Sequence, residues 1–463
     1  MVRQREQSVT HHLHEAVVQD FRTTQRGDVL APGDEGYDAA RTIWNGMIDK
    51  RPALIARCRG VADVLGAATF AREHALPLAV RGGGHNVAGN AVCDGGVMID
   101  LSLMKGIHVD PVDRTARVEP GVLWSELDHE TQAFGLATTG GTISATGVAG
   151  LTLGGGVGWL AAKYGLSCDN LRSVDIVTAD GTLRRASNTD HPDLFWAIRG
   201  AGANFGVVTS FEFDLHPVGP TIYGGLLLHP VDQATTVLRF YRDFAAHQPD
   251  ELTTYAAILT MPDGNQAVAL VTCYSGDMAE GECILAPLKL FGTPLADMVG
   301  PMPYVALQSM LDGAFPYGRQ NYWKSGYVQA ITDGAIDTIT KHASAMPSPH
   351  SVILIQDVHG AAGRVPNDAT AFAHRDAPHS IAILSNWEDQ TGDERNVGWT
   401  RAFFDDLREH VLVRSYVNEL GHDESTERVR AAYGDNYDRL AVIKRTYDPD
   451  NLFCLNQNIL PAR

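Results

Sequence analysis

Two glycine clusters constrain this chain more than any other feature. Arg81-Gly82-Gly83-Gly84-His85-Asn86 follows the β-prone run Leu78-Ala79-Val80, and Gly140 to Gly158 holds eight glycines in 19 residues, ending Gly154-Gly155-Gly156-Val157-Gly158. Three glycines directly after a strand remove side chains and let successive N–H groups converge on an anion. Two such loops can bring bare backbone against a large, flat, phosphorylated ligand from two sides. The plainer reading is a pair of flexible turns. His85 stands at the end of the first loop, where it is either a capping or phosphate-binding imidazole or, if neutral, a nucleophile toward the bound ligand.

The spacing is not that of a dinucleotide-binding turn, which needs G-x-G-x-x-G between strand and helix. Counted from Gly82, Gly154 or Gly200, the third glycine position is Val87, Trp159 or Phe205. No Gly-Lys dipeptide forms a Walker A loop, His129-Glu130 lacks the second histidine of a zincin helix, and no G-x-S-x-G elbow occurs. Lys+Arg 37 against Asp+Glu 55 leave a net charge of −18. That balance argues against a phosphate-tracking nucleic-acid surface and against a polybasic membrane anchor. No apolar run reaches transmembrane length, and polar Met1 to Asp20 lacks the apolar core of a signal peptide, so a soluble, cytoplasmic chain is expected. The six cysteines include no C-x-x-C pair, which suits isolated thiols better than a disulfide scaffold or a zinc site.

Along the chain, the first half alternates helix and strand signals. Ile55 to Cys58, Leu78 to Val80, Gly96 to Leu101 and Val207 to Leu215 read as strands, and Gly60 to Leu76 and Leu123 to Phe134 as helices. Hairpins are expected around Pro111-Val112-Asp113 and at Asp180-Gly181, the latter as a type I′ turn. After Pro217-Val218-Gly219-Pro220 the glycine clusters thin out. Strand-like runs recur at Ala256–Leu259, Ala267–Tyr274, Val352–Val358 and Ile381–Leu384 between helix-length segments, the pattern of an antiparallel sheet with helices. The tail from about 411 reads as helical until Asp448-Pro449 breaks it. On the strand at 352–358, parity places Ile353, Ile355, Asp357 and His359 on one face and Val352, Leu354, Gln356 and Val358 on the other. Asp357 and His359 then mark either a polar site wall with catalytic groups or an exposed strand end.

The first glycine loop resembles the R-[SG]-G-G-H loop of the berberine bridge enzyme-like flavoproteins, within the vanillyl-alcohol-oxidase (PCMH-type) superfamily. Gly147-Val148-Ala149-Gly150 through Gly154 and Lys163-Tyr164-Gly165-Leu166 resemble that family's second FAD loop. Leu194-Phe195-Trp196 through Gly202 and Asn204-Phe205-Gly206-Val207-Val208 are similar to its adenine-side segment. Tyr416-Val417-Asn418, Tyr447 to Phe453 and Asn456-Gln457-Asn458 are similar to its closing motifs. The resemblance spans about residues 40 to 463 and is nearest to bacterial members.

What the resemblance implies is an α+β chain. Its FAD-binding domain is made of residues 1–218 and 411–463, and residues 219–410 form a substrate domain with a helix-covered antiparallel sheet. FAD would be held by Arg81, Gly82, Gly83, Gly84, His85, Asn86, Gly147, Val148, Gly150, Gly154, Val208, Asn418 and Asn456. His85 would be bonded to the 8α carbon, and Ile143 stands where doubly tethered members carry cysteine, so one link is expected. Tyr416 would take or orient a substrate proton while hydride leaves for the flavin, a base role that requires a lowered phenol pKa. The implied activity is oxidation of a small alcohol, sugar or amine with O2 as acceptor. The alternatives are a dehydrogenase using another acceptor and a non-catalytic flavin carrier.

Overall fold

The computed structural model describes residues 13–463. Short strands separated by glycine turns build two small sheets in the first half, beside a two-stranded pairing of Leu136–Ala137 with His216–Pro217. Val29–Leu30, Leu54–Arg57, Val97–Asp100 and Leu78–Arg81 lie side by side in that order, the last three mutually parallel. The helix Val61–Glu73 crosses between Leu54–Arg57 and Leu78–Arg81, as a parallel pair requires, and buries Val64, Ala67, Ala68 and Ala71. A second sheet of five antiparallel strands runs Ile107–Asp110, Thr115–Val118, Val207–Asp214, Leu171–Val177, Leu183–Ser187. The hairpin at Asp180-Gly181 is not type I′. Only Gly181 is left-handed (φ +77°), and its N–H closes a turn onto the Thr178 carbonyl inside a longer loop.

The third sheet has eight strands, all antiparallel, ordered Ala296–Asp297, Thr221–Pro230, Gln266–Tyr274, Leu252–Thr260, Val352–Asp357, His379–Trp387, Gln320–Val328, with Gly300–Pro303 also on Thr221–Pro230. Ile258, Leu270, Ile353, Ile355, Ile381 and Ile383 turn one face onto the helices Ala234–Ala245, Met278–Leu290, Asp333–Ala343 and Asp393–Leu407. Sequence patterning missed Thr221–Pro230 and Gln320–Val328. The first is interrupted by Gly224-Gly225, and the second is buried along nearly its whole length, so neither shows the polar alternation of a half-solvated strand.

The tail differs from expectation as well. Helix begins only at Thr426; before it, one short turn, Val417–Glu419, interrupts extended chain. Leu412 and Arg414 exchange backbone hydrogen bonds with Tyr327, so this segment covers the free edge of the Gln320–Val328 strand. The closing residues are pinned by Lys444, whose fully buried ammonium meets Asp448 at 2.6 Å and the Asn204 and Phe453 carbonyls.

Residues 361–377 leave the large sheet and pack on the first half of the chain. Phe372 and Ala371 donate backbone bonds to Arg199 and Trp196, and Arg375 grips Asp169 through two bonds of 2.9 and 2.6 Å with 1% of its side chain exposed. Removing one partner of such a pair strands a buried charge. Asp169→Asn should therefore lower the unfolding free energy by about 3–5 kcal/mol in denaturant titration; a midpoint unchanged from the parent would show that this clasp carries no stability.

Candidate active site

The two glycine loops touch each other through bare backbone. A Cβ on Gly83 would lie 2.6 Å from the Gly147 Cα and N, and a Cβ on Gly147 would lie 2.5 Å from the Gly83 N. The first loop is held from below by Arg81, which meets the fully buried Asp100 carboxylate at 3.0 and 2.6 Å and also donates to the Ala40 and Thr42 carbonyls. Burial alone would raise the Asp100 pKa, but the Arg81 guanidinium outweighs it and holds the carboxyl below the ordinary range. Trp44 fixes the end of the loop: its ring stacks on His85 at 4.2 Å, its N–H takes the Gly84 carbonyl, and its indole N–H reaches the Phe315 carbonyl.

His85 is half-buried, and its buried Nε2 meets no partner. Burial pushes its pKa down to about 4, so the imidazole is neutral at physiological pH. It lines a cavity of about 320 Å³ that runs along Gly82–Asn86, Gly147 and Gly150, past Val208, to Asn456. At Gly150 and Gly202 a Cβ would meet nothing within 4 Å, so bare backbone faces open space there.

The opposite wall is the second face of the eight-stranded sheet. Tyr255, Ala257 and Leu259 project from one strand, with Ala269 and Val271 on one side and Val352, Leu354 and Gln356 on the other. The tail segment closes the end with Tyr416, Asn418 and Glu419. The Tyr416 hydroxyl oxygen accepts from the Gly156 N–H at 2.9 Å and from the Asn418 amide at 2.8 Å. Burial raises this phenol above its ordinary value despite those two donors, so Tyr416 stays protonated. The lowered pKa that a base would need is absent.

Of the residues proposed from sequence, Gly82, Gly83, Gly84, His85, Asn86, Gly147, Gly150, Val208, Asn418, Asn456 and Tyr416 lie on this one cavity. Arg81 does not: it supports the loop from behind. Val148 points into the core, and Gly154 is pressed against the Asn418 side chain rather than toward the cavity. Asp357 and His359 are also away from it. They face the helix-covered side, where Asp357 meets Gln248, His359 at 2.6 Å and His379 at 3.5 Å. Burial lowers the His359 pKa, but the Asp357 carboxylate more than reverses this. The two side chains hold each other in the helix-covered layer, away from the cavity, and the catalytic expectation for them is withdrawn. The cavity takes Gln356 from the neighbouring position. Sequence reading missed Tyr255 and Glu419; Glu419 stands three residues after Tyr416, and that spacing was the available signal.

A long groove walled by glycine backbone, with a neutral histidine at one end and an apolar sheet face opposite, suits an extended, flat, phosphate-bridged cofactor. Fold and site together define a flavin-dependent oxidoreductase. Residues 52–187 match the FAD binding domain family and residues 415–460 the berberine and berberine-like family. (R)-6-hydroxynicotine oxidase of Paenarthrobacter nicotinovorans is 34% identical over 460 residues, 94% of this chain and 97% of that one. An FAD-linked oxidoreductase of Dictyostelium discoideum is 31% identical over 452 residues, 96% and 97% of the two chains. The chain belongs to the berberine bridge enzyme-like FAD-linked oxidoreductases. The crystal structure of 6-hydroxy-D-nicotine oxidase from Arthrobacter nicotinovorans superposes with a TM-score of 0.86 at 30% identity, over 95% and 98% of the chains. A chitooligosaccharide oxidase shares the fold, with a TM-score of 0.87, 24% identity and coverage of 97% and 100%. No helix among the described residues is long and apolar enough to cross a membrane.

The glycine contact makes a direct prediction. Gly83→Val would drive a branched side chain into the Gly147 backbone, forcing the loops apart. The purified variant should carry little flavin by its visible absorbance. Full loading with merely slower turnover would show that the loop contact does not shape the cofactor groove.

Proposed function

We propose that this protein is an oxidase that removes a hydride from a C–H bond beside oxygen or nitrogen of a small organic substrate, with O2 as final acceptor and FAD joined through His85 alone. The observation that carries the reading is His85: a half-buried imidazole, neutral at physiological pH, with a buried, unpartnered Nε2, at the end of the glycine loop and on the cavity. A neutral imidazole with a free nitrogen is the form able to donate an electron pair to carbon. No cysteine lines the cavity among the described residues; Ile143 does, and Cys168 is buried in the core. In this reading residues 1–218 and 411–463 carry the cofactor and 219–410 face the substrate. Bound FAD supplies two-electron acceptance and reaction with O2.

The chain's own groups then have defined tasks. The glycine loops offer backbone N–H groups to the pyrophosphate, Trp44 keeps the His85 ring in one plane, and the aliphatic sheet face excludes water. Tyr416 acts as a hydrogen-bond donor: its oxygen already accepts two bonds, so its proton is what it has left to offer into the cavity.

Acid precipitation of the parent should leave the yellow colour in the pellet, whereas His85→Ala should release it to the supernatant. A colourless pellet from the parent protein would refute the tether. Substrate bleaching under argon followed by recolouring in air would identify the oxidase; bleaching without recolouring would point to another acceptor.

Tyr416→Phe leaves the Gly156 N–H and the Asn418 amide without their acceptor, each a buried loss of about 1–3 kcal/mol. The variant should be measurably less stable, and flavin reduction should slow by about 10²-fold, as for loss of one preorganised donor. Its rate profile between pH 6 and 10 should keep the parent's shape, because burial holds the phenol protonated throughout. An alkaline limb that disappears with the hydroxyl would instead identify Tyr416 as the base.

A further inference from the structure

Several unpartnered polar atoms lie on or beside the cavity at its Glu419 end, apart from the His85 Nε2 and the Trp323 indole N–H. Register across the large sheet aligns Tyr255, Gln356, Ser380 and Tyr327 in a single polar row over four strands, with Ser325 one position along. The Tyr255, Ser325 and Ser380 hydroxyls and the Glu419 Oε2 are all buried without a hydrogen-bond partner. Beyond this row the same face is aliphatic or aromatic: Ala257, Leu259, Leu354, Leu384 and Trp323. Glu419 lines the cavity with 8% of its surface exposed.

A carboxyl this buried is costly unless paired. The neighbouring cations are already committed. Lys324 binds Asp423 at 3.0 Å and Glu424 at 2.6 Å, Arg428 binds Glu424 at 2.8 Å, and Arg375 binds Asp169. Burial pushes the Glu419 carboxyl up to about 7, the Ser325 hydroxyl pulling weakly the other way. Among the described residues no cation pairs with this acid; beside it stands only the neutral Ser325 hydroxyl, too poorly aligned to satisfy the Oε2.

We infer that Glu419, on the same cavity as Tyr255 and Gln356, is the recognition site for a cationic nitrogen, so that the substrate is an apolar amine carrying one positive charge and not a saccharide. The inference rests on the oxidase reading and narrows it. A sugar presents hydroxyls on every edge, and Ala257, Leu259, Leu354 and Leu384 offer them no partners, the free Trp323 indole N–H being the one donor among these wall residues. A single ammonium or protonated ring nitrogen on an apolar frame satisfies Glu419 and buries its remaining surface against Leu354, Leu384 and Trp323.

The test uses the FAD-loaded full-length protein and two probes of one shape, 2-phenylpropan-2-amine and 2-phenylpropan-2-ol. Neither has a hydrogen on the carbon bearing nitrogen or oxygen, so neither is oxidised there, and calorimetric titration reads binding alone. The amine should bind at least about tenfold more tightly than the alcohol, as a charge-assisted hydrogen bond gives. Glu419→Gln, nearly identical in shape, should remove that advantage and leave alcohol affinity within about threefold. Amine binding no tighter than the alcohol, including no binding of either, overturns the inference; so does an amine affinity unchanged by Glu419→Gln. The parent protein's own ratio decides the matter even if the variant does not fold. Retention of flavin on acid precipitation and recolouring in air are read separately, so this inference can fail while the oxidase reading stands.

Discussion

The backbone contact between Gly83 and Gly147 sets how closely two distant loops approach, and the shape of the cofactor groove follows from it. Neither residue can carry a side chain without separating the loops. Contact at this range would be useless if either loop could drift, and the first is anchored on both flanks. Arg81 is clamped to a fully buried carboxylate before the glycines, and the Trp44 ring stacks on His85 after them. The cost of desolvating Asp100 is offset by two guanidinium bonds and the Ser102 N–H. The result is a loop held in place along the cavity.

The large sheet works with its two faces in opposite ways. Its isoleucine-rich face packs on four helices and supplies the stability of that half of the chain. Its other face leaves Tyr255, Leu354, Gln356 and Trp323 against open space. Because side chains alternate along a strand, the same six residues Val352–Asp357 serve both purposes. The tail then closes the chamber from the edge, bringing Tyr416 and Glu419 against residues nearly a hundred positions earlier in the chain, such as Tyr327 and Ser325.

Much of this was legible. Several elements before residue 215, among them Leu54–Arg57, Val61–Glu73, Leu78–Arg81 and Trp124–Gln132, follow from local patterning and turn residues, whereas the short helices Val148–Leu153 and Pro192–Ile198 give no such signal. Where both faces of a strand are buried, as in Gln320–Val328, that signal disappears. The glycine loops and His85 stood out because their composition is rare and local. Asp357 and His359 were misread for a different reason: parity separates the two faces of a strand without saying which face meets the cavity. The half with the titratable residues was chosen, and the helix layer was what it met. Arg81 carried a correct sense of importance with the wrong task, since its partner Asp100 lies on another strand.

By itself the sequence determined the kind of chain this is. Its glycine loops, their order, and the closing Tyr-x-Asn and Asp-Pro-Asp-Asn motifs are local patterns, and local patterns survive translation into a string of residues. The tertiary structure decided three further things: that the loops touch at Gly83 and Gly147, that Tyr416 is buried with its oxygen already accepting two bonds, and that the Glu419 Oε2 is buried without a hydrogen-bond partner. Each depends on which residues, from tens to hundreds of positions away, the fold brings together, and for Tyr416 and Glu419 on how far burial removes a group from water. Neither quantity has a signature in the order of residues along the chain.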